Sequence, residues 1–155
     1  MQGTHIDFDL CGIASRLKER LLSVPIYQRS YAWTLEETTE YWEDLKQAFS
    51  DSSTEYFIGT IVLTHQASPP RDNIIDGQQR LATTSILLAA IRDEFRANSD
   101  DKRAGIVHDN YLSTSELSSA ADISKLQMNS EDARFFEKRI INADTSIQPT
   151  KGCVK

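Results

Sequence analysis

The 155-residue chain is poor in the residues that build covalent and metal frameworks. It has two cysteines, Cys11 and Cys153, near its opposite ends. Two distant thiols make no disulfide framework and read as reduced groups of a cytosolic protein. The three histidines, His5, His65 and His108, stand apart from one another and from the cysteines. No pair has metal-ligand spacing, which argues against a zinc site, and no Cys-His or Ser-His-Asp arrangement can be traced. Neither a G-x-x-x-x-G-K-[ST] loop nor a G-x-G-x-x-G turn occurs, so two common phosphate-cradling motifs are excluded. No apolar run approaches the roughly 18 residues of a membrane span. Residues 1–24 lack the basic start, apolar middle and small-residue cleavage site of a signal peptide. The expectation is a cytoplasmic chain without a membrane partner. Positive charge is also short. A net charge of -6 gives no global pull toward nucleic acid, so any such contact needs a local basic patch or another domain.

What is present is ordinary for a globular protein: 39% hydrophobic and 26% charged residues, enough for one domain with a core, or one domain and part of another. The most informative stretch is Asn73-Ile74-Ile75-Asp76-Gly77-Gln78-Gln79-Arg80, followed at once by an apolar-periodic run from Leu81. A β-branched run that stops at Asp-Gly and restarts as a helix predicts a strand-turn-helix junction. Asp76 is expected at or near the helix N-cap, its carboxylate accepting from the first free N–H groups, and Gly77 in the tight turn, open to close approach by a ligand. Gln78, Gln79 and Arg80 then occupy the first helical turn, whose free N–H groups and positive dipole end favour an anion. An arginine there opposes the dipole unless an anion is bound. From the residues alone the junction is either a capped core helix with solvated polar residues or an anion site.

Along the chain, Leu10, Ile13, Leu17 and Leu21 predict an amphipathic helix over 8–22. Pro25 opens an irregular segment carrying Tyr27, Gln28, Arg29, Tyr31 and Trp33, in which Arg29 is a second candidate clamp on a phosphate or base. Thr34 and Glu37 form a capping box for a helix over 35–49, with Tyr41, Trp42, Leu45 and Phe49 on its apolar face. Glu55–Thr64, apolar on both faces, predicts a buried central strand in which Gly59 marks a bulge or a close backbone approach. Pro69-Pro70 stiffen a hairpin that returns antiparallel as 73–75. A buried helix over 79–96 follows, with Leu81, Thr84, Leu88, Ile91 and Phe95 on one face. Beyond 99 the pattern weakens: Tyr111-Leu112 and 126–129 are candidate paired strands, and 131–141 a helix. The predicted fold is α/β (α+β), a small, mostly antiparallel sheet packed by helices, with domain boundaries at 8–98 and 99–155.

Three motifs in order, Pro25-Ile26-Tyr27-Gln28-Arg29-x-Tyr31-x-Trp33, Tyr56-Phe57-Ile58-Gly59-Thr60-Ile61-Val62-Leu63 and Ile74-Ile75-Asp76-Gly77-Gln78-Gln79-Arg80-Leu81, resemble the DUF262 family. This is the N-terminal domain of GmrSD-type modification-dependent restriction enzymes and of SspE-like proteins. The resemblance is specific over 17–92 and continues weakly to Phe136.

It implies a ParB/sulfiredoxin-like fold and a site for a nucleoside triphosphate (GTP, ATP, CTP or UTP), with magnesium as the accompanying ion. The implied ligand-binding residues are Tyr27, Gln28, Arg29, Asp76, Gly77, Gln78, Gln79 and Arg80. Asp76 and Arg80 are the candidates for catalysis, Asp76 either holding a magnesium-bound water or capping the helix. The implied role is a nucleotide-binding, NTP-hydrolysing sensor of modified DNA in phage defence. DNA cutting belongs in the family to a separate nuclease region whose motif these residues lack, so DNA is expected as a partner only through an absent domain or subunit. The alternative is a non-catalytic interaction module that docks a DNA phosphate or a partner's carboxylate. Tyr27-Gln28-Arg29 and Gln78-Gln79-Arg80 are expected to converge on one anionic ligand.

Overall fold

The computed structural model of the chain describes residues 9–51, 56–66, 71–115 and 121–148. The first helix, α1 (Ile13–Glu19), is shorter than the apolar spacing predicts. Arg20 is already extended, and Leu22–Ser23 become strand β1. Sheet pairing outcompetes the helix here. The Leu22 N–H donates to Lys125 O and the Val24 N–H to Gln127 O, each at 2.8 Å. Leu17, Leu22 and Val24 enter the core, while Leu10 is left exposed.

The main sheet has the order β2-β3-β1-β6, where β2 is Val62–Gln66, β3 is Arg71–Asp76 and β6 is Leu126–Gln127. β2 and β3 form the expected antiparallel pair, whose connecting prolines Pro69 and Pro70 lie outside the described residues. β1 runs parallel to both β3 and β6. The mixed α/β class is therefore as read from the sequence, but two of the three pairings in this sheet are parallel. Residues 122–141 supply one of its strands.

Of the predicted central strand over 55–64, only Val62–Thr64 is strand, and Glu55 lies outside the described residues. Residues 56–61 run irregularly, Phe57 is 71% exposed, and β2 begins only at Val62, on the sheet's edge. The cause is local. Gly59 has φ 104°, which an extended strand does not allow, and the register shifts again between Val62 and Leu63.

Helix α2 (Leu35–Ser50) opens with the predicted capping box. The Glu36 N–H donates to Thr34 Oγ1, and the Thr34 N–H to Glu37 Oε2 at 2.7 Å. Its apolar face is not buried as predicted: only Tyr41 is buried, and Phe49 is 93% exposed. Helix α3 (Gln78–Ala97) is the long central helix. Leu81, Ala82, Ser85, Ala89 and Arg92 are buried, whereas Ile91 of the predicted face is not. Fully burying a Leu or Ile side chain contributes about 1.5–3 kcal/mol. Leu17, Leu22, Ile74, Leu81, Leu112 and Leu126, all at the centre of the core, therefore carry much of the fold.

After α3, Asp100 caps α4 (Asp101–Val107), which packs on α3 and continues as a wider π-type turn through His108–Leu112. Tyr111-Leu112 are thus helical rather than a strand. Strands β4 (Ser113–Ser115) and β5 (Asp122–Ser124) form a separate antiparallel pair. The predicted last helix is present as α5 (Ala133–Phe135), widened over Phe136–Ile141. The 126–129 segment pairs with β1, not with 111–112.

Candidate functional site

β3 ends at Asp76, and α3 begins at Gln78. The residue between them, Gly77, has φ 91°, and a Cβ there would lie 2.9 Å from Ile61 Cγ1. Only glycine makes this turn without strain. The close approach to Gly77 comes from Ile61 of the protein itself. Gly77, not Asp76, is the N-cap of α3, and no side chain caps it. The Asp76 N-cap expected from the sequence is thus corrected. Asp76 closes the strand with an exposed carboxylate that has no hydrogen-bond or ion-pair partner among the described residues.

A cleft of about 180 Å³ lies over this turn. One wall is the junction itself, from Ile75 to Arg80; the other is Gln28, Arg29 and Trp33 of the 25–33 loop. The two Gln-Arg motifs therefore do meet, although they are 49 residues apart at Arg29 and Gln78. Tyr27 does not join them; it is 73% exposed and does not line the cleft. Trp33, one of the aromatics of that loop, and Ile75 line it instead; nothing in the sequence selected Ile75.

The polar groups of the cleft divide by what they are already bound to. Gln79 is fully engaged. Its Oε1 accepts from the Ala32 N–H at 2.8 Å and the Trp33 N–H at 3.3 Å, and its Nε2 donates to Ser30 O. Gln78 Nε2 donates to Arg29 O at 2.8 Å, and Gln28 Nε2 to Ile75 O at 3.0 Å. These glutamines were expected to contact a ligand; the structure uses their amide N–H groups to hold the loop against the turn. Gln78 Oε1 is buried and has no hydrogen-bond partner among the described residues.

The arginines are different. Arg80 Nη1 donates to Thr60 O at 3.3 Å, and its guanidinium lies against Gly59, where a Cβ would be 2.8 Å from Arg80 Cζ. This is the close backbone approach that Gly59 marks. The remaining Arg80 donors have no partner among the described residues. The Arg29 side chain has no hydrogen-bond or ion-pair partner among the described residues. Its charge nevertheless reaches Glu37. That carboxyl is held below its usual range chiefly by the Thr34 hydroxyl and N–H, with a smaller contribution from Arg29.

Behind the cleft, two hydroxyl relays stiffen the first turns of α3. The Thr83 hydroxyl donates to Gln79 O and the Thr84 hydroxyl to Arg80 O. Each spends its proton there, so Tyr31 donates to Thr83 and Tyr41 to Thr84, at 2.9 and 2.8 Å. Burial raises the Tyr41 pKa, which keeps it a donor. Trp33 packs on Tyr41 with ring centroids 5.6 Å apart.

Chemically, the cleft offers a cationic fork on each wall and a helix N-terminus on one of them, with a lone carboxylate beside them. That set suits an anion. The described residues contain no group of three or more His, Cys, Asp or Glu side chains placed to hold a metal. None of their helices is long and apolar enough to cross a membrane.

No curated protein matches the chain. The family model described as the GmrSD restriction endonuclease, N-terminal domain, matches residues 11–151, which span both walls of the cleft and every strand of the main sheet. On that match the chain belongs to the family of GmrSD restriction endonuclease N-terminal domains, and its context is a restriction system.

Proposed function

We propose that this domain is the nucleotide-binding, NTP-hydrolysing sensor of a modification-dependent restriction system, and that the cleft takes the triphosphate. One observation carries the reading. Arg29 and Arg80 flank the cleft with most donors free, while the glutamines beside them are engaged in holding its walls. Two cations beside a positive helix end repel one another, so the arrangement favours a polyanion between them. The cleft is smaller than the ~300–1,000 Å³ of sites that enclose a drug-sized ligand. It fits the phosphates, with the nucleoside lying outward. Asp76 is the single carboxylate among the lining residues. It suits a hydrated magnesium ion held mainly by the ligand's own phosphates.

Calorimetric titration with GTP, ATP, CTP and UTP, with and without magnesium, tests the reading. A charge-assisted contact contributes about 1.5–3 kcal/mol. Arg80→Ala and Arg29→Ala should each weaken binding by roughly ten- to a hundredfold with the melting temperature kept. The double variant should lose less than the sum, because both act on one ligand. Phosphate release should scale with protein and vanish in Arg80→Ala. Binding without turnover would leave a docking module, and no binding of any nucleotide would overturn the reading.

A further inference from the structure

We infer that the turn at residues 129–132 is the positioning element for Arg29, setting ligand affinity without touching the ligand; this rests on the nucleotide reading of the cleft. The loop carrying Arg29 has no secondary structure of its own to fix it. Its backbone is instead tied residue by residue. On the α3 side, Gln78 holds Arg29 O, and Gln79 holds Ser30 O and the Ala32 and Trp33 N–H groups. On the other side stands a turn about one hundred residues later in the chain. Asn129 Nδ2 donates to Gln28 O at 3.0 Å, the Tyr31 N–H donates to Asp132 Oδ2 at 2.6 Å, and the Ser30 hydroxyl donates to Glu131.

These three contacts bracket Arg29 from both flanks, at residues 28, 30 and 31. The turn is itself braced. The Asp132 N–H donates to Asn129 Oδ1 and the Ala133 N–H to Asn129 O. Asn129 and Asp132 are buried, yet none of residues 129–132 lines the cleft. Burying a carboxylate is costly unless its hydrogen bonds repay it. Here the bond goes to the peptide two residues beyond Arg29. The backbone around Arg29 is tied from both flanks, while its side chain has no protein partner among the described residues. That is what a group pre-organised for an external ligand requires. The expected consequence is coupling through Arg29 and not through Arg80.

The test combines one ligand readout with one that needs no ligand. Asp132→Ala should weaken binding of the nucleoside triphosphates, with magnesium, by about tenfold. It should add almost nothing to the loss in Arg29→Ala, yet add fully to the loss in Arg80→Ala. Asp132→Asn, whose amide oxygen still accepts from the Tyr31 N–H, should restore most of the affinity. Ser30→Ala, which cuts the Glu131 contact from the loop side, gives the same coupling pattern more weakly and serves if Asp132→Ala does not fold. Amide hydrogen exchange is the second readout. Exchange at residues 30–33 should quicken in Asp132→Ala while that of α3 stays slow. Normal binding with unchanged exchange overturns the inference, as does a loss fully additive with Arg29→Ala. If no nucleotide binds the native chain, the site reading fails separately, and exchange alone decides the positioning role.

Discussion

Two of the three arginines on helix α3, Arg80 and Arg92, stand twelve positions apart and have opposite fates. Arg92 is 0% exposed, and its guanidinium is spent on the protein. Nε meets Asp93 at 2.8 Å, Nη2 meets Ile140 O at 2.9 Å, and Nη1 meets Ile141 O. Arg80, in the first turn, gives one donor to Thr60 O and keeps the rest at the cleft. The same side chain thus ties the last helix to the core at one end of α3 and stays available at the other. A guanidinium indicates a binding site only when its donors remain unpaired, and sequence does not reveal which donors are paired.

The largest effect should come from the buried partner. Arg92→Ala would leave the Ile140 and Ile141 carbonyls unpaired and open a cavity in the core. It should cost about 3–5 kcal/mol of stability. Arg92→Lys should recover little of this, since one ammonium cannot span two carbonyls as the planar fork does. Chemical denaturation measures both. A loss below about 1 kcal/mol would mean that Arg92 is not the tie described. Arg80→Ala, by contrast, should leave the denaturation midpoint in place.

Gly59 sharpens the comparison from the other side. A Cβ added there would meet the Arg80 guanidinium at 2.8 Å, and φ 104° disfavours any side chain. Gly59→Ala should cost about 1–3 kcal/mol from backbone strain. It should also move Arg80 off Thr60 and weaken nucleotide binding roughly tenfold, one lost contact's worth. Because Arg80 is flexible and can yield, binding should suffer more visibly than fold. Unchanged affinity in a folded Gly59→Ala protein would show that Arg80's placement does not depend on this approach.

How much of this could be read from the chain depends on the range of the interaction involved. The Thr34–Glu37 cap, the β2–β3 hairpin and the start of α3 are local, and the sequence showed each of them. β1 is a two-residue strand with no periodicity to detect, and β6, read as a strand within 126–129, was given the wrong partner because its parallel hydrogen bonds come from a segment about a hundred residues away. Apolar residues at 56–61 resembled a buried strand because a strand pattern carries no sign of Gly59's positive φ. The Tyr41-to-Phe49 spacing predicted a buried face on α2, but spacing does not say whether a neighbour covers it. At the site, the turn and its arginines were legible. The roles of Gln78 and Gln79 were not, because their partners are loop carbonyls and amides some 49 residues upstream. The 129–132 turn was not legible either: Asn129 was read as the end of a strand and Glu131 and Asp132 as the start of a helix, and neither reading shows that their side chains reach the 28–31 loop about a hundred residues upstream.

The smallest effect concerns the surroundings of Arg92. His108 Nδ1 lies 3.5 Å from Arg92 Nη1 on the π-type turn that follows α4. Burial and then the Arg92 charge push its pKa below the ordinary 6.5; Asp109 opposes them more weakly, and Arg96 (lowering) and Asp122 (raising) contribute less still. The folded state therefore resists a proton that the unfolded chain accepts. As pH falls below about 6.5 the unfolded state binds more protons, so stability is lost on acidification and is fully present above that value. The carboxyls of Glu37 and Asp144 are shifted down and also lose stability in acid, but only near or below the ordinary carboxylate range. The interval from pH 7.5 to 5.5 therefore isolates the imidazole contribution. Melting temperature should drop across this interval in the native chain, and drop less in His108→Gln. Comparing the two chains cancels every group common to both. An equal drop in each would mean that the imidazole is protonated beside Arg92 as readily as in the unfolded chain. In that case the Arg92 environment would be more open to water than its burial indicates.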